Sequence, residues 1–349
     1  MTISVSVQLT TRCNLNCIHC FVDGSGDDIS VGIIEKIIPF AKACKCSCLD
    51  FTGGEPTLHP GFFDIIRLLA NNDLQFTMVT NGWRFAEDYR NINPYVDSIR
   101  KLIFSLDGAT EDIHDSIRAE GSYRRVMQAV SICRFKEIPF GIRTVVSRSN
   151  IHQLEGIALV AAKIGAEYLT LIPLQPTPRT VAQNLILHPD DLKEIKQEAL
   201  RLRKIFAMKI LLTAGYLDED PLALCPALTM NELFLTSKEE VGFCCQLADY
   251  ERGTKDSDIL GSLEEMTLHD AQKRVIDAVA AYKKDKIQRL ADGKLGKMDY
   301  YSCWYCLKYF KKVDWMAEFS DNPWSEDVLT ARTGKSAREL AMAQEHMAG

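Results

Sequence analysis

The sequence predicts an α/β fold in which a partial, open (β/α)6 barrel precedes a smaller α+β domain. Over the first 215 residues, short runs rich in β-branched and aromatic residues alternate with longer runs of helical periodicity. Six such strand–helix units imply parallel strands joined by right-handed crossovers. Because a closed TIM barrel needs eight units and the alternation stops after residue 215, we expect the barrel to stay open.

The predicted strands are short and nearly all apolar, as is typical of strands buried on both faces of a parallel sheet. The last helix should begin at Pro189, since a proline and two acidic residues, Asp190 and Asp191, suit a first helical turn. The predicted strands span residues 4–9, 48–52, 75–79, 101–106, 139–146 and 168–173, and the helices span 31–44, 61–70, 123–135, 154–164 and 189–206.

A second domain is expected where the alternation ends, so that residues 1–215 form the barrel and residues 216–349 form the extension. Two apolar runs around the polar turn Ser237-Lys238-Glu239 predict a β-hairpin there. The predicted elements of the extension are this hairpin over 226–245 and helices over 263–291 and 325–348.

The composition excludes several classes of function. The chain of 349 residues carries 41 Lys and Arg against 47 Asp and Glu, and its net charge of −6 argues against nucleic-acid binding. No apolar stretch approaches the roughly 20 residues that span a bilayer, so no membrane partner is expected. The N-terminus lacks the basic region and cleavage site of a signal peptide, and we therefore expect a cytoplasmic protein.

Twelve cysteines are many for a cytoplasmic chain, where close spacings indicate metal binding or catalysis rather than disulfides. Cys13, Cys17 and Cys20 form a C-x3-C-x2-C pattern directly after the first predicted strand. Thiolates favour zinc or iron–sulfur centres, and three ligands rather than four leave one metal position open, as in a reactive centre. A structural zinc loop or three ordinary buried cysteines are the alternatives.

The segment Thr52-Gly53-Gly54-Glu55-Pro56 stands at the end of the second predicted strand. Paired glycines let the backbone approach a ligand closely, and a carboxylate accepts hydrogen bonds from an amine. In barrels and open α/β sheets the chemistry lies at the carboxyl ends of the strands. The segment therefore predicts a ligand contact beside the cysteines, although alone it could be a simple βα turn.

These motifs together resemble the radical S-adenosylmethionine (radical SAM) superfamily over the whole first domain. The matching segments are C-N-L-N-C-I-H-C at 13–20, T-G-G-E-P at 52–56, T-N-G at 80–82 and S-L-D-G at 105–108. The resemblance implies a [4Fe–4S] cluster whose fourth iron is chelated by the methionine moiety of SAM. Reduction of that cluster then cleaves SAM to a 5′-deoxyadenosyl radical, which abstracts a hydrogen atom from the substrate.

The resemblance also implies roles for individual residues. Asn81 is either a cofactor contact or a turn residue, and Arg143 either pairs with the SAM carboxylate or forms a surface ion pair. His19 is expected to pack beside the cluster. The implied cluster ligands are Cys13, Cys17 and Cys20; the contacts to the methionine amino group are Gly53, Gly54 and Glu55; and the ribose or carboxylate contacts are Ser105 and Asp107.

A second cysteine group lies in the predicted extension. The C-x2-C pair Cys303 and Cys306 could clasp one metal site from a tight turn, while the hairpin would bring Cys225 near Cys244. A structural zinc held by four cysteines is the alternative. The segment resembles the auxiliary-cluster extension of SPASM/twitch-type radical SAM enzymes. That resemblance implies one auxiliary [4Fe–4S] cluster, with Cys225, Cys244, Cys303 and Cys306 as its ligands.

Cys245 is then left over beside Cys244. A thiol beside the active site could return a hydrogen atom to a carbon radical from the opposite face and so invert its configuration. The doubled cysteine resembles radical SAM peptide epimerases, which implies that Cys245 is a catalytic hydrogen donor. Alternatively, Cys245 packs under the hairpin, or it rather than Cys244 is the ligand.

The expected function is therefore that of a radical SAM enzyme that modifies a ribosomally made peptide, by epimerisation or cross-linking. A low-potential electron donor such as ferredoxin or flavodoxin is implied. Because the first strand starts almost at Met1, no leader-binding module is expected in cis. One alternative is small-molecule dehydrogenation or carbon–carbon chemistry on a sugar or cofactor precursor. Another is a non-catalytic zinc or iron–sulfur sensing protein, which leaves Gly53, Gly54 and Glu55 without a role.

Overall fold

A computed structural model of the chain describes residues 3–22, 24–223, 225–248, 257–319 and 322–333. These residues build one ten-stranded sheet in the order β10-β9-β8-β1-β2-β3-β4-β5-β6-β7. Pairing is parallel from β8 through β7 and antiparallel between β8, β9 and β10. The strands are β1 Ser4–Thr10, β2 Cys48–Gly53, β3 Gln75–Thr80, β4 Ile99–Ser105, β5 Phe140–Val146, β6 Tyr168–Pro173, β7 Lys209–Leu212, β8 Glu232–Leu235, β9 Glu240–Gly242 and β10 Ile259–Ser262.

The helices follow the strands as right-handed crossovers require. Two of them begin at clear caps, since Ser30 accepts a hydrogen bond from the Ile33 amide and Asp191 accepts one from the His188 amide. The helices are α1 Val31–Ala43, α2 Phe62–Ala70, α3 Phe85–Ile92, α4 Glu111–Ile117, α5 Ser122–Phe135, α6 Leu154–Lys163, α7 Pro178–Ala182, α8 Pro189–Ile205, α9 Leu268–Ala291, α10 Ser302–Tyr309 and α11 Pro323–Thr333.

The predicted open barrel is confirmed, and its six predicted strands agree with β1–β6 to within two residues at each end. One further parallel strand, β7, follows α8 and was not predicted, because four residues directly after a helix leave no distinct pattern. The sheet ends at β7 and β10, so β1 and β7 do not close the barrel within the described part of the chain.

The predicted hairpin is confirmed as β8 and β9, joined by the turn at 236–239. The pairing of β8 with β1 extends the barrel sheet with strands from the predicted extension. The C-x2-C segment forms helix α10 rather than the expected tight turn. Of the predicted tail helix, α11 covers the first part, and the rest lies outside the described residues.

The register of the sheet gathers the predicted motifs at one edge. Thr10 of β1 pairs with Gly53 of β2, while β3 ends at Thr80 and β4 at Ser105. Because parallel strands point the same way, the cysteine loop and the segments after β2, β3 and β4 meet at the carboxyl ends. No helix among the described residues is long and apolar enough to cross a membrane.

The two glycines after β2 are required by the neighbouring backbone. A Cβ at Gly53 would lie 2.3 Å from the Thr10 carbonyl oxygen, and a Cβ at Gly54 would lie 2.2 Å from that of Arg12. The Gly54 amide donates to Thr10 and the Glu55 amide donates to Arg12, so β2 is pressed against the start of the cysteine loop. The two glycines are therefore needed for a close approach between two segments of the chain, in addition to the approach to a ligand that the sequence suggested.

We predict that Gly54→Ala destabilises the apoprotein by about 3 kcal/mol or more, since the new methyl group meets rigid backbone on the neighbouring segment. Urea denaturation measures the loss. The matched control is Gly32→Ala in α1, where the nearest atom to the added Cβ is 3.8 Å away, and it should be neutral or slightly stabilising. Equal stability of the two variants would contradict the assignment.

Candidate functional site

A cavity of about 540 Å³ opens at the carboxyl ends of β1 to β4. This volume lies within the roughly 300–1,000 Å³ of ordinary small-molecule sites. The sequence-predicted residues that line it are Cys13, Cys17, Cys20, Gly53, Gly54, Asn81, Ser105 and His19. Most of the residues assigned to the cofactor from the sequence thus surround one space.

The cysteine loop is held in place by side chains from distant elements. Arg179, on α7, donates to the carbonyl oxygens of Cys17 and Ile18. Asn81 donates to the side chain of Asn14 at 2.9 Å and lies 3.9 Å from the Cys13 sulfur. Both residues also line the cavity, and they fix the loop while their remaining surface faces the ligand space.

The cavity presents thiols that burial keeps protonated until a positive centre binds them. Burial raises the pKa of Cys13, and it raises the pKa of Cys17 to about 11. Because a metal ligand must be a thiolate, binding of a metal or cluster here releases protons. Soft thiolates at one open cavity match the donor set of an iron–sulfur cluster.

The spacing of the sulfurs also bears on zinc. Among the described residues, no three His, Cys, Asp or Glu side chains are grouped so that they could hold one metal ion. A tetrahedral zinc ion needs every sulfur within about 2.3 Å of its centre, whereas the cysteines of a cluster bind different iron atoms. The observation that matches a cluster is the donor type, three thiols that line one cavity.

Glu55, assigned to the methionine amino group from the sequence, lies between the ends of β2 and β3. Its side chain is fully buried and does not line the cavity. The carboxylate accepts hydrogen bonds from the Asn81 amide at 2.7 Å, from Thr80 Oγ1 at 2.9 Å, and from both the amide and Oγ1 of Thr57. Burial nevertheless raises its pKa. Glu55 joins the ends of β2 and β3, and only Gly53 and Gly54 of this motif face the cavity.

Asp107, also assigned to the cofactor from the sequence, is bound to Arg118. Its carboxylate is fully buried, accepts a hydrogen bond from Arg118 Nε at 2.6 Å and another from the Val145 amide at 2.8 Å, and does not line the cavity. Burial alone would raise its pKa, but the charge of Arg118, followed by those of His19 and His114, makes the net shift downward. Asp107 therefore acts through Arg118, which lines the cavity 3.9 Å from the Cys17 sulfur.

His19 packs beside the cysteines, as the sequence suggested. Its Nε2 atom lies 3.8 Å from the Asp107 carboxylate. Burial lowers the pKa of His19, the Asp107 carboxylate raises it, and the charges of Arg118 and Arg179 lower it, so that the resulting pKa is about 4. The imidazole is thus neutral near pH 7.

The second cysteine group gathers around another cavity. Two of its members, Cys303 and Cys306, lie three residues apart on α10, a spacing that places them on one helix face. Tyr282 of α9 places its hydroxyl 3.4 Å from the Cys306 sulfur. Burial raises the pKa of Cys306 to about 12. The four cysteines that line this cavity are Cys225, Cys244, Cys303 and Cys306, the set expected from the sequence.

Cys245 lines a different space from its neighbour Cys244, although the two side chains are hydrogen-bonded to each other. It lines a chamber of about 400 Å³ inside the barrel, together with Arg143 of β5. Thr52 and Val79 line both this chamber and the 540 Å³ cavity, so the two spaces are adjacent. Arg143 therefore lies in the barrel chamber and not in the cavity of the three cysteines, where the sequence had suggested it.

Sequence reasoning missed four charged residues of these sites. Arg118 and Arg179 line the first cavity, and Asp50 and Glu232 line the barrel chamber. Asp50 gave a signal, because it interrupts an otherwise apolar predicted strand. The other three gave none, since their positions depend on tertiary contacts.

Residues 7–161 match the family model of the radical SAM superfamily. Mycofactocin maturase MftC from Mycobacterium tuberculosis (strain CDC 1551 / Oshkosh) is 29% identical over 193 residues, which cover 54% of this chain and 48% of that protein. AdoMet-dependent heme synthase from Methanosarcina barkeri (strain Fusaro / DSM 804) is 28% identical over 180 residues, which cover 50% and 51%. The chain thus matches about half the length of these curated relatives.

Two solved structures share the fold. SuiB from Streptococcus suis, bound to the precursor peptide SuiA, has a TM-score of 0.60 at 11% identity, covering 78% of this chain and 64% of that chain. The protein anSMEcpe with bound AdoMet has a TM-score of 0.59 at 18% identity, covering 78% and 80%. At such identities the likeness shows the fold, a partial barrel with a C-terminal extension.

We predict that Asp107→Asn costs about 3–5 kcal/mol of unfolding free energy, because it leaves the buried Arg118 without its counter-ion. The ionised carboxylate stabilises the fold above the unfolded Asp pKa of about 3.9, and this contribution is lost as the pH falls through the lower folded value. Urea denaturation of the apoprotein at pH 7, and at a series of pH values from about 4 down to about 2, measures both effects.

The control for this prediction is Asp64→Asn, which breaks the exposed ion pair between Asp64 and Arg67. It should change stability by less than about 1 kcal/mol. A loss for Asp107→Asn no greater than this control would show that the buried pair does not hold the site.

Proposed function

We propose that this protein, whose residues 7–161 match the family model of the radical SAM superfamily, is a radical SAM enzyme that cleaves SAM reductively and modifies a ribosomally made peptide. Members of this superfamily use a [4Fe–4S] cluster and SAM. The observation that carries the proposal is the convergence of Cys13, Cys17 and Cys20 on one cavity with Gly53 and Gly54.

The proposed division of labour follows the two cysteine groups. Residues 1–215 would hold SAM and its cluster, and residues 216–349 would hold one auxiliary [4Fe–4S] cluster. An electron donor of the ferredoxin or flavodoxin type would serve both. The proposed ligands are Cys13, Cys17 and Cys20 for the first cluster, and Cys225, Cys244, Cys303 and Cys306 for the second.

When bound, the cluster and SAM supply a 5′-deoxyadenosyl radical that takes a hydrogen atom from the substrate. Gly53 and Gly54 present backbone to the methionine end, and Ser105 and Asn81 present hydrogen-bonding side chains. Arg118 adds a positive charge beside the cysteines, fixed by Asp107. His19, neutral near pH 7, fills the wall and keeps water out.

A peptide substrate is supported by the relatives and by the barrel chamber. One matched relative is named a maturase, and SuiB, which shares the fold, was solved with a precursor peptide. The chamber of about 400 Å³ adjoins the cofactor cavity through Thr52 and Val79, and Cys245 lies on its wall. A substrate residue in the chamber would lie within reach of both the cofactor cavity and this thiol.

We therefore favour epimerisation, with Cys245 as the catalytic hydrogen donor. The Cα–H bond of a substrate residue breaks on the cofactor side, and the S–H bond of Cys245 then breaks as a new C–H bond forms on the other face. The sulfur radical left behind needs one electron, for which an iron–sulfur electron donor is the source, and one proton from solvent. Cross-linking would instead leave the two hydrogen atoms off the product.

The second candidate function is small-molecule chemistry, because another matched relative is named a heme synthase. Mass spectrometry of the product in D2O separates the reactions. Epimerisation incorporates one deuterium from the exchangeable thiol, whereas dehydrogenation or cross-linking lowers the mass by two without deuterium.

We predict that anaerobically reconstituted protein forms 5′-deoxyadenosine from SAM and a strong reductant, and that Cys17→Ala abolishes this. Iron should total about eight atoms per chain, as two [4Fe–4S] clusters require. Cys133→Ala, which changes a buried cysteine of the α5 core, is the control and should keep both properties. Full iron without SAM cleavage would favour a sensing protein, and zinc alone would refute the iron–sulfur assignment.

We predict that Cys244→Ala lowers the iron content from about eight to about four atoms per chain, whereas Cys245→Ala keeps it. The reason is that Cys244 faces the other three auxiliary cysteines and Cys245 faces the barrel chamber. Iron analysis with Mössbauer spectroscopy checks this. The reverse pattern would make Cys245 the ligand and remove it as a hydrogen donor.

A further inference from the structure

The barrel chamber is lined by three charged side chains that form no ion pair among the described residues, although the charge of Arg143 opposes the burial that raises the pKa of Asp50. Asp50 of β2, Arg143 of β5 and Glu232 of β8 all line it, and none of them forms an ion pair with another described residue. The Nε atom of Arg143 is buried without a hydrogen-bond partner. The carboxylates accept hydrogen bonds from hydroxyl groups: Ser4 donates to Asp50 at 3.1 Å, Thr77 also donates to Asp50, and Ser6 donates to Glu232 at 3.2 Å.

The sheet holds these groups apart. Strand β1 lies between β2 and β8, so Asp50 and Glu232 are on opposite sides of Ser4 and Ser6. Arg143 comes from the other side of the barrel, three strands beyond β2. Each charged residue is therefore held on its own strand, and the sheet keeps the three strands in fixed positions around the chamber.

Such an arrangement costs stability, because a charge that leaves water without a partner loses solvation free energy. Burial raises the pKa of both Asp50 and Glu232, in keeping with that cost. Charged groups held unpaired around a cavity are typical of a ligand site, where function is retained at the expense of stability.

We propose that the chamber binds a substrate residue that carries one positive charge and a carbonyl group, as a lysyl or arginyl residue of a peptide does. The formal charges of Asp50, Glu232 and Arg143 sum to −1, so a single cation between the carboxylates balances them. Arg143 then donates to the carbonyl oxygen. This inference rests on the proposed function, which makes the chamber the substrate site beside Cys245.

If Arg143 binds the substrate carbonyl group, it does not bind the carboxylate of SAM. Equilibrium binding of SAM to the reconstituted protein tests this step without any substrate. Arg143→Gln should change the SAM dissociation constant by less than about twofold, because the side chain lines the other chamber. A tenfold or greater loss, equivalent to about 1.4 kcal/mol, would place Arg143 on the SAM carboxylate and overturn the proposal.

The ligand class is tested with two small probes, N-acetyl-L-lysine N-methylamide and N-acetyl-L-norleucine N-methylamide. Calorimetry with the reconstituted, SAM-loaded protein should show the lysine probe binding about tenfold more tightly, since a hydrogen bond to a charged group contributes about 1.5–3 kcal/mol. Asp50→Asn and Glu232→Gln should each abolish most of this preference. The control Asp112→Asn, on the exposed face of α4, should retain it.

Equal binding of the two probes, binding of neither at 20 mM, or a preference that survives both chamber variants would overturn the proposal. Thermal unfolding shows whether those variants fold. Removal of an unpaired charge should raise the Tm of the apoprotein by a few degrees, and a fall in both variants would mean that the carboxylates are already paired. Probe binding does not need SAM cleavage, so failure of the proposed function, seen as no 5′-deoxyadenosine from the wild type, is a separate result.

Discussion

The buried carboxylate of Glu55 is the constraint on which the cofactor face depends. An ionised group in the interior is tolerable only when its oxygens are satisfied, and here Thr57, Thr80 and Asn81 supply the donors. Their backbone is thereby fixed at the ends of β2 and β3, while the amide of Glu55 holds the start of the cysteine loop. Through its side chain and its amide, Glu55 thus holds the ends of three strands together, and the two glycines beside it allow the close contact.

The molecule treats its charges in two contrasting ways. Near the first cysteine group, Asp107 and Arg118 satisfy each other completely and make a rigid wall. In the barrel chamber, Asp50 and Arg143 form no ion pair with each other, although the charge of Arg143 acts on Asp50. Preorganised, paired charges suit a cofactor that is always the same, and unpaired charges suit a ligand that must be attracted and released.

The architecture follows from local sequence, and the site does so only in part. Continuous apolar runs and clear caps such as Ser30 placed β1 to β6 and their helices, and the spacing of Cys13, Cys17 and Cys20 marked the first cavity. The roles of the charged side chains could not be predicted from the sequence, because they depend on long-range contacts. Asp107 meets an arginine from the next helix, and Glu232 reaches Ser6 only because β8 joins the sheet beside β1.

Cys244 and Cys245 line separate cavities across a single peptide bond, with their side chains hydrogen-bonded to each other. The number of residues between β9 and the two cysteines therefore decides which sulfur lines which cavity. A substitution nearby can be absorbed, but an insertion or deletion of one residue between Gly242 and Cys244 would carry the wrong thiol into each space. Natural variation in this segment must therefore preserve the length of the loop, whereas its composition is free to change.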